Sequence, residues 1–89
     1  MKNLSLQITY RKGKPFAAYV YLPHQPANRS VRCEELRPGL VVDFDADGNP
    51  LGIEVISPTV TSIDELQQVF EELGLEQPDP NDLQPLLAA

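Results

Sequence analysis

Leu40-Val41-Val42-Asp43-Phe44-Asp45-Ala46-Asp47-Gly48-Asn49-Pro50-Leu51-Gly52-Ile53-Glu54-Val55-Ile56 joins two runs of alternating apolar residues through an acidic turn that contains glycine. Two readings compete for it. Asp43, Asp45, Asp47, Gly48 and Glu54 spell the calcium-loop pattern D-x-D-x-D-G with a closing glutamate, in which alternate carboxylates would wrap one ion. Such a loop needs a helix on each side. Upstream stand Arg37-Pro38-Gly39 and the β-branched pair Val41-Val42, which are poorly suited to supply one.

The other reading is a β-hairpin turning on Asp47-Gly48 as the two central residues of a type I′ turn. Phe44 would then face Leu51, Val42 would face Ile53 and Leu40 would face Val55, so that one face is wholly apolar. Asp43, Gly52, Val41, Glu54 and Ile56 go to the other face, and Pro50 falls opposite Asp45, where its missing N–H costs no bond. A slip of one residue would scatter the apolar side chains over both faces, so the register is well specified. On a hairpin, Asp43 and Glu54 sit on strand bodies while Asp45 and Asp47 sit at the tip. These four remain the candidate metal ligands, with the hairpin as the preferred reading.

Working outward, Val31, Cys33 and Glu35 alternate with Arg32, Glu34 and Leu36, a short strand closed by Pro38-Gly39, whose residue types suit a type II turn. Cys33 shares a face with Val31 here and is expected to be a small buried residue. Further upstream, Leu4, Leu6, Ile8 and Tyr10 alternate with polar residues, as do Phe16, Ala18, Val20 and Leu22 with Ala17, Tyr19 and Tyr21. These two strands flank the turn-forming Arg11-Lys12-Gly13-Lys14-Pro15. Pro23 to Ser30 has no periodicity and reads as a loop. Its His24 lacks a partner nucleophile or orienting group, so it nominates no catalysis.

Downstream, Ser62-Ile63-Asp64-Glu65 is a capping box, followed by a helix with Ile63, Leu66, Val69, Phe70 and Leu73 in one stripe and Gly74 as its left-handed stop. In the tail, Asp79 would cap a short turn opened by Pro80. Leu83, Leu86 and Leu87 form an apolar knob that either frays or docks on a partner.

The expected architecture is therefore α+β: a five-stranded, mainly antiparallel β-meander with one C-terminal helix packed on it. Strands are expected over about 4–10, 16–22, 31–36, 40–45 and 50–56, and a helix over about 63–73. Residues 1–75 make a single domain, and 76–89 a proline-rich acidic tail.

Length and charge bound the function. At 89 residues the chain has room for one core. A chain of this size buries about two-thirds of its unfolded surface, so it folds with little stability in reserve. The net charge is −6. All seven basic residues fall in residues 1–37 beside only Glu34 and Glu35, whereas 38–89 holds the other eleven acids and no base. An acidic surface repels phosphate backbones, so no nucleic-acid partner is expected and a basic partner suits the charge. The first residues alternate where a signal peptide needs an apolar run, and no segment is long enough to span a bilayer. A cytoplasmic protein without membrane contact is expected. With one cysteine and one histidine, a zinc site of four such ligands cannot form. No cofactor motif is present, and none is expected.

Ile8-Thr9-Tyr10, Ala17-Ala18-Tyr19-Val20-Tyr21-Leu22, Glu34-Glu35-Leu36-Arg37-Pro38-Gly39, Val41-Val42-Asp43-Phe44-Asp45-Ala46-Asp47-Gly48 and Leu51-Gly52-Ile53-Glu54-Val55-Ile56 together resemble the YuzE-like family of small bacterial proteins of unknown function. The resemblance spans roughly residues 4–57 and implies the fold, not an activity. Where that family has an acidic cluster after its first tyrosine, Arg11-Lys12-Gly13-Lys14 stands here, so no function resting on that cluster carries over.

The leading functional reading is a non-enzymatic protein-interaction module. It would be a homodimer or the acidic partner of a small basic protein, as an antitoxin is, with Tyr19, Tyr21, Arg32, Leu83, Leu86 and Leu87 as candidate interaction residues. The rival is a small enzyme or ligand-binding domain that uses Tyr19, Arg32, Glu35, Asp43 or Glu54. The third is a cation-binding hairpin built on Asp43, Asp45, Asp47 and Glu54.

Overall fold

The computed structural model describes residues 4–23, 29–58 and 61–87; His24 and most of its loop lie outside the described residues. Five strands, β1 (Ser5–Arg11), β2 (Lys14–Tyr21), β3 (Arg32–Arg37), β4 (Leu40–Phe44) and β5 (Pro50–Val55), precede helix α1 (Ile63–Glu72). A 3-10 turn (Pro80–Leu83) and a last helical turn, α2 (Gln84–Leu87), close the chain. The five strands form one antiparallel sheet, so the α+β class expected from the sequence holds. The strand order departs from a simple meander: it is β1-β2-β5-β4-β3. β3 lies at the far edge from β1, and β4 and β5 return the chain to lie against β2, the connectivity of a Greek key. Composition explains the placement. Leu51, Gly52, Ile53 and Val55 of β5 are buried, whereas Arg32, Cys33, Glu34 and Glu35 of β3 are exposed, and charged strands belong at edges.

The turns show which residue chemistry won. Pro38-Gly39 links Arg37 to Leu40, with Gly39 at φ +79°, as a type II turn requires. The paired positive φ of a type I′ turn occurs at Lys12 (54°) and Gly13 (77°), between Arg11 and Lys14. It does not occur at Asp47-Gly48, where only Gly48 is left-handed. That turn instead runs Asp45-Ala46-Asp47-Gly48, closed by Gly48 N–H to Asp45 O at 3.1 Å and by Asp45 N–H to Asn49 O at 3.0 Å. A three-residue loop shifts the register at the tip, so Phe44 faces Pro50, where Leu51 was expected, and Pro50 is not opposite Asp45. A bulge between Asp43 and Phe44 absorbs the shift. Beyond it the expected pairs Val42–Ile53 and Leu40–Val55 form.

One face of the sheet carries the core. Ala18, Val20, Leu22, Leu40, Val42, Phe44, Ile53 and Val55 pack with Leu66, Val69 and Phe70 of α1. The helix begins at the expected cap, where Ser62 Oγ accepts the Glu65 amide at 3.1 Å, and the Glu65 carboxylate accepts the Ser62 hydroxyl at 3.4 Å. It ends in a Schellman motif, with Gly74 at φ +70°, Leu75 N–H bonded to Phe70 O and Gly74 N–H to Glu71 O. The Arg37 guanidinium joins helix to sheet through an ion pair with Glu72 and a 3.4 Å bond to Gln68 Oε1.

Three expectations about burial are corrected. Phe16 and Tyr10 are 54% and 61% exposed, because the bulge between Thr9 and Tyr10 ends the alternation there. Cys33 is exposed, since it lies on the edge strand and faces away from the helix. The tail neither frays at Leu83 and Leu86 nor offers them to a partner. Both are buried in this chain's own core, at 0% and 4% exposure, with Asp79 Oδ1 accepting the Asn81 amide to set the turn. The Leu87 side chain lies outside the described residues. No helix among the described residues is long and apolar enough to cross a membrane.

Candidate functional site

Strand pairing lays the second face of the sheet out in rows. Gln7, Tyr19, Glu54, Val41 and Glu35 follow one another across β1, β2, β5, β4 and β3. The neighbouring row is Ser5, Tyr21, Gly52, Asp43 and Cys33. Side chains alternate along a strand, so these ten residues point away from α1 and the core. The two rows hold three carboxylates, two tyrosines and no basic residue.

Tyr19 is the centre of this face. Its hydroxyl donates to Asp43 Oδ2 at 2.6 Å, from β2 to β4 across the whole width of β5. Two strand spacings are about 10 Å, so the ring must lie down on β5 to make the reach. Gly52 allows it. A Cβ at position 52 would stand 2.2 Å from Tyr19 Cε1 and 2.3 Å from its hydroxyl oxygen, far inside van der Waals contact. Gly52 has no positive φ, so its glycine is explained by this close approach of a ring and not by backbone conformation. Tyr21 packs against Tyr19 with ring centroids 4.7 Å apart, and its own hydroxyl donates to Gln7 Oε1 at 2.7 Å.

This geometry fixes the chemistry of the pair. Burial pushes the Tyr19 phenol well above its ordinary pKa, and the bond to Asp43 and the nearby carboxylates push it the same way. The phenol therefore stays a protonated donor and Asp43 an acceptor. Of the groups named for a small enzyme, Tyr19, Glu35, Asp43 and Glu54 share the outer face, and Arg32 does not. Arg32 pairs with Phe44 on the core side, its guanidinium 4.1 Å from that ring's centroid and 3.1 Å from Glu34 Oε2, whereas Asp43 points to the opposite face. A shallow open depression of about 180 Å³ lies beside Tyr19, lined by Gln7, Thr9, Ala17, Ala18 and Glu54.

The four candidate metal ligands also diverge. Asp43 is committed to Tyr19. Asp45 is buried at 5% exposure, and its carboxylate accepts the amides of Asp47 and Asn49, both at 2.9 Å, and the Asn49 side-chain amide at 3.2 Å. These bonds, that of the Asn49 amide first, hold its pKa below the usual carboxylate value. Asp47 is exposed at the tip, and Glu54 is exposed on the row beside Tyr19. No group of three or more His, Cys, Asp or Glu side chains placed to hold an ion occurs among the described residues.

Sequence reasoning placed Tyr19 and Tyr21 on one face of β2 and Asp43, Gly52 and Glu54 on one face of the β4–β5 hairpin but did not bring the two sets together, and it missed the roles of Gly52 and Gln7. The signal for Gly52 was available: a lone glycine in an otherwise apolar, central strand marks close approach of another group. Arg37 was overlooked as the link to α1, and its spacing from Gln68 and Glu72 gives no local cue.

A sequence model described as Protein of unknown function (DUF2283) matches residues 17–57, which is less than half of the chain. The matched stretch runs from β2 through β5 and contains Tyr19, Asp43 and Gly52. No curated protein and no solved structure gives a significant match.

Proposed function

We propose that this chain is a non-enzymatic interaction module whose outer sheet face receives a basic protein surface, in the manner of an acidic antitoxin-like partner acting in the cytoplasm. The observation that carries the reading is the pair of rows across the sheet, with Glu35, Asp43 and Glu54 around Tyr19 and Tyr21 and no lysine or arginine among them. Tyrosines offer broad, stiff contact area at low entropic cost, and carboxylates at their margin select an arginine-rich or lysine-rich counterpart. The Tyr19–Asp43 tie holds the first ring flat in advance of binding, while Tyr21 remains 40% exposed. The stretch matched by the family of unknown function includes all four of these strands, and we read it as the same region that resembles the YuzE-like proteins.

The test is affinity capture with the intact chain and with two charge reversals, Glu54→Lys on the outer face and Glu71→Lys on the helix. The reading expects a basic protein to be retained by the parent and by Glu71→Lys, and lost with Glu54→Lys. Retention by all three, or by none, contradicts it.

A further inference from the structure

The free edge of β3 has one register in which it can pair with itself. Ile56 N–H bonds to Gly39 O, which marks the β4–β5 pairs 41/54 and 43/52 as the hydrogen-bonded ones. Leu40, Val42 and Phe44 of β4 therefore turn their backbone groups toward β3, where Val42 meets Glu34 and Phe44 meets Arg32. Alternation leaves the N–H and C=O of Cys33 and Glu35 directed outward. Only registers that bring these outward residues together can form a ladder. Centred on Glu34 or on Glu35, an antiparallel pairing of two copies sets identical carboxylates opposite each other, and centred on Arg32 it sets two guanidinium groups opposite each other. Centred on Cys33, it places Arg32 of each copy opposite Glu34 of the second copy, with no like charges facing.

We propose that two copies of this chain associate through β3, antiparallel about a two-fold axis at Cys33, to make one continuous sheet. The edge charges act as a filter: they repel slipped registers and foreign strands and admit this one. The contact is isologous, each copy supplying the same strand. It lies on the sheet edge, so it does not depend on what occupies the tyrosine face. The ladder is short, and the dimer exchanges quickly.

The experiment measures solution mass by light scattering over a rising concentration series, for the full chain, Arg32→Glu and the swap Arg32→Glu/Glu34→Arg. The expected result is a concentration-dependent dimer that weakens by about tenfold or more in Arg32→Glu, where like charges oppose, and recovers in the swap. Circular dichroism establishes that each variant is folded. The native cysteine gives a second readout. Diamide takes two electrons and two protons from two thiols to leave a disulfide, and paired Cys33 residues about 5.5 Å apart between α-carbons lie within reach of one. Cross-linking at Cys33 should outpace that of Cys33→Ser/Glu35→Cys, in which the two thiols are out of register. This comparison decides the matter even if Arg32→Glu fails to fold. A monomer at every concentration, a dimer indifferent to Arg32→Glu, or equal cross-linking at both positions overturns the proposal.

Discussion

Gly52→Ala isolates the feature on which the outer face rests. In an ordinary central strand position without positive φ, this change stabilises by about 0.4–1 kcal/mol, because alanine loses less backbone entropy than glycine on folding. Here the new methyl would stand 2.2–2.4 Å from three atoms of Tyr19, so the ring must lift off β5. Lifting it breaks the 2.6 Å bond to Asp43. A hydrogen bond to a charged group is worth about 1.5–3 kcal/mol, with the lower end apt for this half-buried pair. Repacking against the added methyl costs about another 1–2 kcal/mol. The net is a destabilisation of about 2 kcal/mol, or about 8–16 °C in Tm for a domain of this size. Urea unfolding followed by circular dichroism measures it. The decisive control is the same substitution in a Tyr19→Ala background, where the ring is gone and Gly52→Ala should become neutral or stabilising by about 0.5 kcal/mol. If Gly52→Ala stabilises the parent, or costs the same in both backgrounds, the ring does not lie over residue 52 and the reasoning fails.

Tyr19 should also set part of the alkaline limit. Its folded pKa is raised, so the protonated phenol contributes fully below about pH 10, the ordinary tyrosine value, and that contribution shrinks as the pH climbs above it. Tyr19→Phe should flatten this part of the stability-versus-pH curve, and an unchanged slope contradicts the assignment. Lys12→Asn should raise stability by about 0.5–1 kcal/mol, because asparagine tolerates the left-handed φ that Lys12 now adopts; thermal denaturation checks it. Leu83→Ala should cost about 2–5 kcal/mol as a deletion from a fully buried site, whereas a cost below 0.5 kcal/mol, as at a surface position, would place the tail outside the core. Ser62→Ala should cost about 1 kcal/mol through the lost cap of α1.

Much of the fold was written in local patterns. Alternation located all five strands, Pro38-Gly39 its turn, Ser62 and Glu65 the start of α1, and Gly74-Leu75 its end, because each depends on residues only a few positions apart. Strand order depends on which strands tolerate water on their edge. The cue was the four charges of Arg32, Glu34, Glu35 and Arg37, which mark β3 as an edge and leave β5 to pair with β2. Asp47-Gly48 misled because the carboxylate two residues earlier outcompetes it: Asp45 collects two amides and a side chain only when the loop has three residues. The calcium spelling arises from that same turn chemistry. For the candidate site, period-two alternation sorted Tyr19 with Tyr21 on β2 and Asp43 with Glu54 on the hairpin. It could not show that Tyr19 crosses a strand, since that contact depends on the β2–β5 pairing that the meander expectation lacked.

The claim that the tyrosine face is the working surface is tested most directly by titrating the isotopically labelled chain with an arginine-rich peptide and following its amide resonances. The account predicts shifts concentrated at Gln7, Tyr19, Tyr21, Glu35, Asp43 and Glu54, abolished by Glu54→Lys and kept by Glu71→Lys. Shifts centred on the acids of α1 and the tail, or none at any position, would contradict it.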